Sequence, residues 1–406
     1  MILDPAQRRA GQIHIATPRL ETPFHSRIAA LSTTNDWYSW AGYKAPHSIF
    51  DDELEYFAIR STAALFDISP MVKYRIRGVD SERFLNRLTL RDVRKLQPGR
   101  VQYTAWCDDH GHVLDDGTLF RLAETDFRLC CQERHLPWLT DSADGFDVTI
   151  EEETETLAAV ALQGPTSFSV LDAAGFAGVE TLKPFQLLTV QHQGHEILIS
   201  RTGFTGDLGY ELFAPAEIAL SLWDRIWSAG QLFGLQAIGY GALNRTRIEA
   251  GFIVANTDFT TAETALRPDR QRLPDEIGLD WLVDPDKPYF NGRDAILKAR
   301  RTKSLKYVLV GLEIEGNVPA EHALVYHRKS REAGIVTAGI WSPTAKRNIA
   351  IATLTRPFGE QILDDLWVEI YAMRELQYQK LMKRAKIVPR PFVKLPRRTV
   401  TPPDRF

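Results

Sequence analysis

Apolar positions recur at two different periods along the chain, and the switches between them mark its elements. Residues 51–65 have helical spacing, with Leu54, Phe57, Ala58 and Leu65 on or near one face. Residues 72–76 alternate like a strand, and 80–90 read as a short helix with Phe84, Leu85 and Leu88 inward. Strands are predicted over 101–106, 118–122 and 127–131, the first two flanking a turn at Asp108-Asp109-His110-Gly111-His112, and a helix follows near Leu136-Pro137-Trp138-Leu139. A short buried strand over 157–163 runs into Gly164-Pro165, and 166–171 open a helix. Residues 220–233 form an amphipathic helix whose Leu222, Trp223, Ile226 and Trp227 are read as core. Residues 260–273 show no period and read as an exposed loop.

At Val283-Asp284-Pro285-Asp286-Lys287-Pro288 the texture becomes that of a linker. Beyond it a helix near 293–301 precedes strands over 307–314, 335–340, 349–354 and 366–370, the rhythm of a small barrel or sandwich. From Lys383 the chain is rich in Lys, Arg and Pro and is expected to strap over the last domain. The first thirty residues are polar and irregular, an expected surface arm.

Composition narrows the class. A chain of 406 residues accommodates two or three domains, and a net charge of -3 gives no sign of nucleic-acid binding. Three cysteines, Cys130 and Cys131 adjacent, argue against a disulfide framework and fit a reducing compartment. No apolar run reaches the ~18 residues of a membrane span. Arg8, Arg9 and Arg19, with Asp4 the only acid before them, leave a transit peptide as the alternative to the cytoplasmic default.

Chemistry concentrates in Arg201-Thr202-Gly203-Phe204-Thr205-Gly206-Asp207-Leu208-Gly209-Tyr210-Glu211. Three glycines in seven residues supply φ > 0 or close-approach positions. Glu211 sits where a strand settles into a core, so its carboxylate needs a partner, such as a ligand offering two parallel N–H donors; an edge-strand carboxylate in water is the plainer reading. Asp115-Asp116 follows a glycine turn at a strand entry, where neighbours face opposite sides. One of the two can face solvent and the other a cavity, to accept a proton or stabilise positive charge; a turn aspartate capping backbone amides is the alternative. Around residue 245, a solvent-facing i,i+4 pair accounts for Arg245 and Glu249, while Arg247 can anchor a ligand carboxylate or tie two domains together. His110, His112 and His135 read as surface histidines, and no metal-type spacing is present.

Taken in order, these segments resemble the T-protein (aminomethyltransferase) family of the glycine cleavage system and its folate-dependent demethylase relatives. The pieces are Trp40-Ala41-Gly42-Tyr43 with Pro46, Ile59-Arg60, Leu65-Phe66-Asp67-Ile68-Ser69, Tyr103 and the Gly111…Asp115-Asp116 turn. Leu162-Gln163-Gly164-Pro165, Arg201–Gly206, Gly209-Tyr210-Glu211, Arg247–Gly251, Gly278-Leu279-Asp280-Trp281, Phe290-Asn291-Gly292 and Trp341-Ser342-Pro343 follow. The resemblance implies an α+β, three-domain fold around a central folate pocket, with a small C-terminal β-barrel domain. Its layout here would be an arm over 1–30, a folate-binding core of two interleaved subdomains over 31–285, a barrel domain over 286–390 and a basic tail over 391–406. Tetrahydrofolate is the implied cofactor. The family's catalytic aspartate falls on Asp116 and its pterin-binding glutamate on Glu211. Tyr103 and Phe204 match aromatic positions of the folate pocket, Gln132 falls near a family asparagine, and Arg247 joins the cofactor-binding set.

Departures fall on the donor side. Ser-His-Met-Gly is Ser69-Pro70-Met71-Val72, and Gly-Ala-Arg-Asp is Gly241-Ala242-Leu243-Asn244, so an arginine is missing. That pattern suggests a retained acceptor and a changed one-carbon donor. The expected activity is demethylation of a small sulfonium, quaternary ammonium or methoxy compound, with Trp40, Tyr43 and Trp106 as aromatic faces for a cationic donor. Aminomethyl transfer in glycine cleavage is the alternative. A non-catalytic folate-binding protein is a third, and the chain lacks the Lys-Gly-Cys-Tyr-x-Gly-Gln-Glu motif of such relatives.

Overall fold

The computed structural model describes residues 20–405. Its first body begins with α1 (His25–Leu31), the hairpin β1 (Asp36–Trp40) and β2 (Tyr43–Ser48), α2 (Asp52–Ser61), β3 (Ala63–Asp67) and β4 (Val72–Arg77). Then come α3 (Ser81–Leu88), β5 (Arg100–Cys107), β6 (Val113–Ala123), β7 (Asp126–Cys131), α4 (Leu136–Ser142), β8 (Thr149–Glu152), β9 (Leu157–Gln163) and α5 (Ser167–Ala173). β10 (Leu187–His192), β11 (His195–Ser200), β12 (Gly209–Pro215), α6 (Ala219–Gly230), β13 (Leu235–Ala237) and α7 (Tyr240–Glu249) complete it. After α8 (Arg293–Thr302), the strands β14 (Tyr307–Ile314), β15 (Leu324–His327), β16 (Arg331–Ser342), β17 (Arg347–Thr355), β18 (Leu366–Arg374) and β19 (Gln377–Val388) close a six-stranded barrel.

Two sheets position everything that follows. One runs β10-β11-β12-β9-β3-β13 and the other β5-β6-β7-β4-β8. Period-two alternation gives each sheet two different faces. Leu65, Val160, Leu162, Ile199 and Leu212 line the outer face of the six-stranded sheet, under α1, α5 and α6. Val72, Tyr74, Trp106, Leu119 and Leu129 line the outer face of the five-stranded sheet, under α3 and α4. The inner faces meet in a third core containing Phe66, Ala161 and Phe213 from one sheet and Val101, Phe120 and Cys130 from the other. Phe120 and Phe213 meet edge to face across it, ring centroids 5.3 Å apart. A separate core joins the barrel to the body, with Ile248, Phe259, Leu309, Ile340 and Ile351.

Several expectations change. The predicted arm up to Arg19 lies outside the described residues, but Phe24 and Ile28 are buried and Phe24 packs on Trp223, so 20–31 belong to the body. The helix predicted over 51–65 stops at Ser61, capped at its start by Asp51, and Leu65 lies in β3. β15 has no counterpart among the predicted strands, and β19 continues through the basic stretch expected to be tail, because Lys380, Arg384 and Lys386 share its exposed face while Leu381, Ala385 and Ile387 pack on the barrel core. The tail itself is a strap, but over the first body: the Phe392 and Val393 amides donate to the Glu249 carbonyl, and Arg201 donates to the Arg398 and Val400 carbonyls. The 260–273 loop is partly packed, with Thr261 buried and Ala262 N–H donating to the Val113 carbonyl.

Candidate functional site

Asp115 and Asp116 lie within β6 and not at its entry, so their side chains project from opposite faces of the five-stranded sheet. Asp116 shares the inner face with Thr118 and Phe120. In register with it across the ladder are Ala105 on one side and, one position beyond Cys131, Gln132 on the other. Its Oδ2 accepts the Tyr103 hydroxyl at 2.8 Å. Burial, then the charge of Asp115, push its pKa up to about 7, against the pull of the Tyr103 hydrogen bond.

Glu211 occupies the matching layer of the other sheet. β12 lies between β11 and β9, so Glu211 is on an interior strand, and its side chain shares the inner face with Phe213. Thr202 donates to Glu211 Oε2 at 2.6 Å, and Ser200 and Thr202 hydroxyls are 2.6 Å apart. Burial raises the pKa of Glu211, which the Thr202 hydrogen bond only partly offsets. Among the described residues it has no cationic partner. A carboxylate so placed fits a ligand that brings its own pair of N–H donors.

The glycines of the 201–211 segment have two jobs. Gly206 takes a left-handed φ of +71°. Gly203 and Gly209 make room for the Gln163 amide, which a Cβ at either position would meet within 2.2 Å. Gln163 accepts the Thr205 hydroxyl at 2.9 Å and donates to the Thr202 and Tyr210 carbonyls at 3.3 Å. The Leu162-Gln163-Gly164-Pro165 strand end thus moulds the turn that presents Glu211.

The other predicted residues separate into groups. Tyr103 is half-buried, holds Asp116 and stacks on Trp281 with centroids 6.0 Å apart. Gln132 donates to the Ala255 carbonyl at 3.3 Å. Phe204 is half-buried and stacks on Phe252 at 5.4 Å. Trp40 stacks on Phe66 at 6.3 Å, bordering the layer between the sheets. Arg247 is fully buried, paired with Asp258 and bonded to Asn244 Oδ1 (2.8 Å) and the Phe252 carbonyl (3.0 Å); since Asp258 also accepts the Thr337 hydroxyl of β16, this cluster ties body to barrel. Trp106 is fully buried on the outer face of the five-stranded sheet, away from Asp116, because its odd-even position is opposite to that of Tyr103. Tyr43 is buried in the hairpin, where burial raises its pKa to about 12 near Glu155 and Arg134.

Two sequence readings are corrected. Glu249 does not face solvent with Arg245; it is buried, bonded to Arg60 at 2.7 Å, to the Tyr56 hydroxyl at 2.7 Å and to Ser342 of the barrel. His135 is not a surface histidine but is buried against Asp115. Sequence reasoning also missed Tyr38 and Tyr240, whose rings lie 5.2 Å apart beside that of His47. Tyr38 is on the same side of β1 as Trp40, and that i,i+2 spacing was the available signal.

Comparison with known proteins bears on the family and the fold. Residues 24–287 match the GCVT N-terminal domain family, and residues 308–394 match the glycine cleavage T-protein C-terminal barrel domain. An aminomethyltransferase of Bacillus subtilis is 32% identical over 361 residues, covering 87% of this chain and 94% of its own length. One from Geobacillus thermodenitrificans is 34% identical over 379 residues, covering 92% and 97%. The glycine cleavage system aminomethyltransferase T of Bartonella henselae shares the fold, with TM-score 0.79 and 24% identity over 93% of this chain and 99% of that one. Two packed sheets and a closed barrel are thus the architecture of a one-carbon transferase. The chain belongs to the glycine cleavage T-protein family of tetrahydrofolate-dependent transferases. None of its described helices is long and apolar enough to cross a membrane.

Proposed function

We propose that the chain transfers a one-carbon unit to tetrahydrofolate, and that its donor is a small methylated compound which it demethylates. The observation that carries the folate reading is the pair of carboxylates on facing sheet surfaces, the Asp116 carboxylate bonded to Tyr103 and the Glu211 carboxylate bonded, among the described residues, only to Thr202. Tetrahydrofolate supplies the nucleophilic nitrogen when bound. Glu211 holds the N–H donors of the pterin edge, with Thr202 fixing its rotamer. Phe204 and Gln132 border the ligand. Asp116, with a proton affinity near neutrality, takes up the proton that the amine gives up on transfer, and Tyr103 keeps its carboxyl aimed inward. Holding acceptor and donor in line supplies much of the acceleration.

The methyl-donor reading rests on what replaces the missing arginine. Leu243 is buried among apolar neighbours of the inner layer, and Asn244 is spent on Arg247. Trp40, Tyr38 and Tyr240 offer ring faces nearby, the surface a sulfonium or quaternary ammonium group prefers. A second reading, aminomethyl transfer, is favoured by the names of the relatives. Incubation with tetrahydrofolate and a panel of methylated and aminomethyl donors, with the folate product identified by mass, separates them. A methyl product supports demethylation and a methylene product supports the alternative. No folate product with any donor would count against the whole reading.

A further inference from the structure

Behind Asp116, on the outer face of the same strand, three side chains form a line from core to surface. Asp115 is completely buried; its Oδ1 accepts the Asp116 amide at 2.8 Å and its Oδ2 accepts the Glu133 amide at 3.2 Å. His135 Nε2 lies 3.0 Å from Asp115 Oδ2. On the far side of the ring, Nδ1 is 3.0 Å from Glu263 Oε2, close enough for an ion pair though not aligned as a hydrogen bond. The His135 backbone amide donates to the Tyr74 hydroxyl at 2.7 Å, anchoring the main chain there, and the Trp106 and His135 rings are perpendicular with centroids 5.6 Å apart. Glu263 is exposed, and with Ser39, Gly42, Glu133 and His135 it lines a cleft of about 490 Å³. A buried imidazole with a carboxylate at each nitrogen is built to be a cation.

We propose that His135 is a positioning residue which, through Asp115, sets the proton affinity of Asp116 and links it to the surface charge of Glu263. The proposal rests on the reading of Asp116 as the proton acceptor. The groups acting on Asp116 are Tyr103 from β5, Asp115 through its charge from the opposite face of the same strand, and Asp258 from the loop after α7, while the Cys131 thiol of β7 lies on the Asp115 side of the sheet. Those facing His135 are Asp115, Glu263 and Glu133, while Arg134 beside it is engaged by Glu152. Asp115 is the group common to both sets. Burial disfavours a charged His135, but the hydrogen bond and charge of Asp115, then Glu263, more than reverse this and its pKa is raised. A protonated ring offsets the charge of Asp115, so Asp116 ionises more readily than it would beside Asp115 alone.

The test is the carboxyl titration of Asp116, followed by ¹³C NMR on the full chain with aspartate labelled at the side-chain carboxyl and Asp116→Asn as the assignment control. His135→Gln is expected to move the Asp116 midpoint upward by about one pH unit, and Asp115→Asn to move it downward by about one. Glu263→Gln lies on an exposed loop and leaves the core untouched; it is expected to shift the midpoint upward by about half a unit, since His135 then gives up its proton earlier. Midpoints that stay within about 0.2 units of wild type in both Glu263→Gln and His135→Gln, or that move downward, overturn the proposal. The readout needs no turnover, so a chain inactive with tetrahydrofolate would defeat the functional reading while leaving this coupling measurable.

Discussion

Asp116 and Glu211 share chemistry but differ in partners, and the proposed roles rest on that difference. A carboxyl poised near neutrality loses its use as a proton acceptor when protonated. The rate at limiting donor is therefore expected to rise as pH increases through about 7 and to level above it, which a pH–rate profile checks. Asp116→Asn is expected to lower turnover by about 10²- to 10³-fold while leaving tetrahydrofolate affinity within about threefold. It also tests linkage. The native pKa of Asp116 lies above its unfolded value, so the folded state holds the extra proton between about 4 and 7 and loses stability as pH rises through that window. Asn removes that penalty: thermal unfolding should show the variant more stable than wild type at pH 8, by up to roughly 4 kcal/mol, and little changed at pH 4. The residue types were legible in the sequence, but the partners were not. His135 lies twenty positions from Asp115 and Glu263 lies further still, so nothing in local spacing brings them together.

Strands and turns set where these groups point. Alternation along β6 separates Asp116 from Asp115, and the same rule on β5 separates Tyr103 from Trp106. Residue type alone makes Trp106 a donor-side aromatic, whereas its strand parity puts it in the outer core. The glycine-rich turn before β12 was readable as a demand for tight backbone, but its cause, the Gln163 amide filling the turn from β9, depends on a contact across the sheet. Gly209→Ala is expected to force Gln163 out, destabilise the protein by about 2–3 kcal/mol and weaken folate binding through displacement of Glu211. Denaturant unfolding and calorimetry read the two effects separately. The basic run in β19 hides a strand because its charged face is solvent-exposed on a barrel and Lys383 interrupts the inward apolar series Leu381, Ala385 and Ile387.

Across the molecule, buried ion pairs join parts distant in sequence. Arg60 bonds Glu249 and Asp207; Glu249 reaches Tyr56 and barrel Ser342; Asp207 holds Arg397 of the tail at 2.6 Å. Breaking such a cluster leaves an uncompensated buried charge, which typically costs about 3–5 kcal/mol. Glu249→Ala is expected to lower the unfolding temperature and to uncouple barrel from body, seen as two calorimetric transitions in place of one. The two-body organisation and the barrel were legible because the linker and strand rhythm are local signals, whereas the strap's path depends on Arg60, Arg201 and Asp207 of the other body. Under the proposed function, what the whole arrangement serves is a reduced folate held between the two sheets. Isothermal titration with tetrahydrofolate tests this most directly: wild type and Asp116→Asn are expected to take up one equivalent with similar affinity, and Glu211→Ala to bind at least tenfold more weakly. Unchanged affinity in Glu211→Ala, or no uptake by wild type, would contradict the account.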